Sequence, residues 1–78
     1  MSAELVREAV RDGQRVALLR CFDSPEGGTI VEAEITGPEG GAPLRRGPYR
    51  FASAPEAFRF VQEALLALQY LGCTVSTV

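Results

Sequence analysis

The chain contains no histidine, no lysine and no tryptophan, and only two cysteines. Without histidine, the commonest general base and the commonest metal ligand are both missing. Cys21 and Cys73 lie far apart with no C-x-x-C spacing, so no metal site is expected, and the thiols read as small buried hydrophobes of a reducing compartment rather than a structural disulfide. No apolar run is long enough to span a bilayer. The opening "MSAELVREAVRDG" mixes acids and bases throughout and lacks the apolar centre of a secretory signal, so a cytoplasmic location without membrane contact is expected. An excess of positive charge is lacking too: the 8 basic residues, all arginine, face 10 acids for a net charge of −2. The chain as a whole is therefore not drawn to nucleic acid or anionic lipid.

What is present suits a folded protein. With 78 residues, 46% hydrophobic and 23% charged, the chain reads as a single domain over 1–78 whose small core must be used fully. The plainest element is a C-terminal helix within "YRFASAPEAFRFVQEALLALQYLGC". Ser53 and Glu56 have capping-box spacing, Pro55 falls in the first turn, and Gly72 can take the left-handed stop with Cys73 folding back onto Leu68. From Ala57 to Leu71 the apolar residues cover an arc of roughly 180°, the width needed to lie across a sheet.

Upstream, the tetrapeptide Pro-Glu-Gly-Gly occurs in "SPEGGTI" and again in "GPEGGAP", which is hairpin-turn chemistry. Strands are expected over Arg15–Phe22, Thr29–Thr36 and Tyr49–Phe51 with some preceding residues. The middle strand sets Val31, Ala33 and Ile35 against Glu32 and Glu34, so one sheet face is wet. The first strand is apolar on both faces, which predicts a second cover. A short helix from Ala3 to Asp12 would supply it, with a hairpin about Asp12-Gly13 as the rival. The expected fold class is α+β in the order α-β-β-β-α: a three-stranded antiparallel sheet against a long C-terminal helix, with a possible short fourth strand from "CTVSTV".

Chemistry-bearing constellations are sparse. Glu32 and Glu34 share one strand face, but an open face suits cross-strand pairing with Arg20 or Arg50 better than acid–base work. Asp23 and Glu26 offer too few oxygens for a calcium loop, and no glycine-rich phosphate motif precedes a helix. No catalytic residue and no cofactor are expected, and the chain does not read as an enzyme. Between Cys21 and Leu44 the charges are all acidic (Asp23, Glu26, Glu32, Glu34, Glu39), whereas "LRRGPYR" gathers Arg45, Arg46 and Arg50 around Tyr49. That cluster is the candidate contact for an anion or nucleic acid, with neutralisation of the acidic strand as its alternative.

The run "AEITGPEGGAPLRRGPYRFASAPEAFRFVQEAL" resembles the end of the β-β-β-α DNA-binding domains of arm-type integrases, over less than half the chain. The resemblance implies a sheet reading the major groove through its exposed face. Here that face carries Glu32 and Glu34, and like charge opposes phosphate.

One feature of the helix is left without a partner. Leu66 and Tyr70 stand an i, i+4 pair apart on the side opposite the core, flanked by Arg59 and Glu63. An aliphatic and an aromatic with a charged rim form an anchor for a partner protein or a second copy, so the expected function is protein–protein interaction, most simply as a homodimer through a two-fold helix contact. The alternatives are a cover from the chain's own ends, and a nucleic-acid-binding domain using the arginine cluster.

Overall fold

The computed structural model describes residues 4–37 and 41–77. Six elements follow one another: β1 (Glu4–Arg11), β2 (Gln14–Asp23), β3 (Thr29–Ile35), β4 (Leu44–Phe51), α1 (Ala54–Tyr70) and β5 (Thr74–Thr77). The strands form one antiparallel sheet in the order β4-β3-β2-β1-β5. The helix crosses one face diagonally and touches all five strands. The expected α-β-β-β-α order with a three-stranded sheet is thus corrected to β-β-β-β-α-β with five strands.

The largest correction is at the N-terminus, where the described part of the expected helix is β1. Its pattern alternates poorly: Leu5, Arg7 and Ala9 share the helix side of the sheet, while Glu4, Val6 and Glu8 share the open side, so pairing with β2 and not periodicity makes it a strand. Asp12 and Gly13 take φ 53° and 79°, positive at both central positions as a two-residue type I′ turn requires. Local helix propensity loses because a helix this short is marginal alone, whereas a hairpin hands its backbone groups to β2. The second cover expected for β2 is not found among the described residues, where α1 covers one face of the sheet only. β2 is the central strand, with Ala17, Leu19 and Cys21 under the helix and Leu18 and Phe22 on the open face.

At the other end of the sheet, β4 begins at Leu44 rather than near Tyr49 and includes both Arg45 and Pro48. Proline is tolerated because β4 is an edge, and a register shift between Val31 and Ala33 accommodates the Gly47-Pro48 step. The tail does form a short strand, β5, paired with β1.

The helix starts and stops where its sequence signals place it, by partly different means. Ser53 is the N-cap residue, with extended φ −142° and ψ 156°, yet its side chain makes no capping hydrogen bond. Only its carbonyl takes part, accepting from the Ala57 amide at 3.2 Å. At the other end Gly72 has φ 93°. The Cys73 amide donates to Leu68 O at 3.0 Å and the Gly72 amide to Gln69 O at 2.9 Å, which is the Schellman pattern. The turn at Ser24 is also as read: the Gly27 amide donates to Ser24 O at 3.1 Å and the Glu26 amide to Ser24 Oγ at 3.2 Å. The second Pro-Glu-Gly-Gly turn falls largely on 38–40, outside the described residues.

The diagonal helix builds a core in two clusters. Its N-terminal half packs Ala57 and Val61 on Cys21 and Val31, with Leu5, Phe51, Phe60 and Leu65 around them. Its C-terminal end brings Cys73 onto Ala9 and Ala17, with Val16, Leu68 and Val75 alongside. Cys21 and Cys73 therefore sit buried in separate clusters as free thiols.

Candidate functional site

The open face of the sheet carries an ion-pair lattice. Arg15 meets Glu8 at 2.8 Å, Arg20 meets Glu4 at 3.5 Å, Arg45 meets Glu34 at 3.5 Å, and Arg50 meets Glu26 at 3.7 Å. Arg20 also stands directly opposite Glu32 in the β2–β3 register. The expected arginine cluster is consequently divided by the pleat. Arg45 and Arg50 lie on this face with acidic partners, whereas Tyr49 points under the helix and packs on the Phe60 ring with centroids 5.4 Å apart. Arg46 borders the groove beneath the helix. Glu32 and Glu34 belong to the lattice rather than to an enclosed cleft, and among the described residues no three potential ligating side chains gather as a metal site would need.

The helix presents a different surface. Leu66 is 64% exposed and Tyr70 93% exposed, on a helix whose inward side is well packed. Neither end of the described chain covers them, since both ends are strands of the sheet. Arg59 and Glu63 pair with each other inside the chain at 3.8 Å, an exposed i, i+4 contact, so they form a neutral rim beside the apolar pair.

A groove runs between the helix and the sheet. The diagonal path of the helix leaves the Ile35 and Leu44 ends of β3 and β4 uncovered, and there Ile35 is 40% and Leu44 59% exposed. Ala17, Ala33 and Ala64 line the space between helix and sheet, Tyr49, Phe60 and Leu68 wall it, and Arg46 is its one charged lining residue. The opening measures about 240 Å³ and is overwhelmingly apolar. A hollow of about 440 Å³ continues it toward the β1–β2 turn, sharing Val16 and Leu68 and ending near Arg11 and Leu71. On a helical wheel Leu66 and Tyr70 stand at roughly 180° and 220° from Ala57, and Phe60 and Ala64 at roughly 300° and 340°, so the exposed pair points away from the sheet while the groove wall lies on the inner flank of the helix.

The exposure of Leu66 and Tyr70 was legible in the sequence, but the groove was not. Ile35 continues the buried alternation of β3, and only the crossing angle of the helix shows that it lies beyond cover. The available signal was the run of alanines at inward positions, because small side chains on both facing layers leave space between them. Comparison with family models, with curated proteins and with solved structures finds no significant match for the chain. Among the described residues no helix is long and apolar enough to cross a membrane.

Proposed function

We propose that this is a non-enzymatic interaction domain that works through the outer flank of α1, with self-association as its simplest form. The observation that carries the reading is the exposure of Leu66 and Tyr70, at 64% and 93%, in a chain with few large side chains to spare for its core. Apolar side chains so placed contribute to stability only when something outside the chain covers them. Sedimentation equilibrium on wild type and Leu66→Glu tests this. Wild type is expected to associate in the micromolar range, and the variant to remain folded and monomeric. An unchanged association constant in the variant would remove this flank from the interface.

Nucleic-acid binding ranks below this reading, because Arg45 and Arg50 already face Glu34 and Glu26, and Tyr49 points to the other side of the sheet. Fluorescence anisotropy with labelled duplex and single strand at physiological salt is expected to show no saturable binding. Tight, salt-sensitive binding lost on replacing Arg45 and Arg46 by alanine would reverse the ranking.

A further inference from the structure

We infer that the recess between α1 and the β2–β3–β4 side of the sheet binds a small monocarboxylate with a hydrocarbon body, its chain lying among Ala17, Ala33, Ala64 and Phe60 and its carboxylate on Arg46. The inference is independent of association through the outer flank of α1 and uses neither Leu66 nor Tyr70.

The first observation is the state of Arg46. Every other arginine has a partner: Arg11, Arg15, Arg20, Arg45, Arg50 and Arg59 each face a carboxylate, and Arg7 donates to the Val6 carbonyl oxygen at 2.9 Å. Arg46 has neither an ion pair nor a side-chain hydrogen bond among the described residues. Its position sharpens the contrast. The pleat puts its neighbour Arg45 on the open face against Glu34, whereas Arg46 stands opposite Ala33 on the apolar side and is the one charged residue of the recess. A carboxylate is the anion whose two oxygens match the guanidinium fork.

The second observation is the lining. Apart from Arg46 it is alanine, branched aliphatic and aromatic, and the opening of about 240 Å³ has Ala64 on the helix side and Ala17 and Ala33 on the sheet side, whose short side chains leave it unfilled. Hydrocarbon that enters it leaves water at no cost in hydrogen bonds. The third observation is the backbone around it. β2 and β3 are hydrogen-bonded to strands on both sides, α1 bonds its own amides, and the free edge of β4 faces outward. A peptide laid in the recess would therefore bury amides with nothing to pair with, whereas a chain of methylenes has none. The opening lies below the roughly 300 Å³ at which pockets for drug-sized ligands begin, so the body is short, of about eight carbons.

Isothermal titration calorimetry with sodium octanoate tests this on the full chain, with thermal melts to show that each variant is folded. Wild type is expected to bind a single octanoate saturably, and to bind octanol and octyltrimethylammonium at least tenfold more weakly, because neither carries the anion. Arg46→Gln removes the charge and Ala64→Leu fills the recess, and each is expected to weaken octanoate binding at least tenfold. Where Ala64→Leu fails to fold, Ala64→Met takes its place. Arg45→Gln, which removes the adjacent arginine on the other face, is expected to leave binding within twofold of wild type. No saturable binding of octanoate by wild type overturns the inference, as does octanol binding of equal strength. So does octanoate binding that Arg46→Gln or the Ala64 variant leaves unchanged, which would put the ligand elsewhere on the chain.

Discussion

Cys21 illustrates what burial does to a single reactive side chain. It is almost fully buried between the helix and the sheet. Burial first, and the charge of Asp23 second, push its thiol above the ordinary value of 9.0. The folded chain therefore holds this proton more tightly than the unfolded chain does. Below 9.0 both forms are protonated and stability is indifferent to pH through this group; as pH climbs from there through the raised value, the unfolded chain loses its proton first and stability falls. Chemical denaturation followed across that range is expected to show wild type losing stability that Cys21→Ala does not lose. The same burial keeps the thiol from a soluble disulfide reagent in the native state, so labelling of Cys21 should proceed only at the rate of opening.

At the level of the element, the turns and caps show where sequence signals suffice and where they do not. Gly13 and Gly28 share φ 79°, but a side chain on Gly13 would meet nothing, whereas a Cβ on Gly28 would lie 2.6 Å from the carbonyl oxygen of Phe51. Gly13→Ala should thus cost about 1 kcal/mol for its left-handed backbone, and Gly28→Ala about 3 kcal/mol, since the obstructing atom belongs to the backbone. Urea titration of the pair isolates the steric part. Ser53→Ala is expected to cost less than about 0.5 kcal/mol, because the Ser53 hydroxyl makes no capping bond and only its carbonyl serves the helix. A denaturation midpoint shifted by a full cap's worth would show the hydroxyl bonded in solution. The helix limits, the Ser24 turn and the alternation of β3 were legible because each depends on neighbours in the chain. The identity of β1 was not, since Leu5, Val6, Ala9 and Val10 have helical spacing and pairing with β2 overrides it. The groove escaped for a related reason: the helix packs on Cys21 and Val31 and on Ala9 and Ala17, and Ile35 and Leu44 are left exposed.

For the molecule as a whole, the core is thin. The largest fully buried side chains are Val31, Val61 and Cys21, while Leu66, Tyr70, Leu71 and Leu44 remain in water. A chain this short buries a smaller share of its surface than larger domains do, so its folded state has little margin. On the proposed reading, association that covers the flank of α1 would add to that margin by mass action. The melting temperature is accordingly expected to rise by several degrees between low and high micromolar protein in wild type, and to stay constant in Leu66→Glu. Calorimetry at a series of concentrations checks it, and a wild-type transition independent of concentration would mark the thin core as self-sufficient.

The position of β5 beside β1 bears on how the chain is made. Strands β1, β2 and β3 each pair with the next strand along the chain, so three hairpins can close before β5 is available. The far edge of β1 has to wait, because Arg7 is matched with Thr77 and Val10 with Thr74, from the other end of the sequence. Until those last residues emerge, β1 offers a bare row of amides and carbonyls, and Ala9 and Ala17 lack the lid that Cys73 and Val75 provide. A chain halted just after the helix would hold a sheet bare at both margins, β4 on one side and the whole of β1 on the other, and that interval is when β1 is most exposed to pairing with the wrong neighbour.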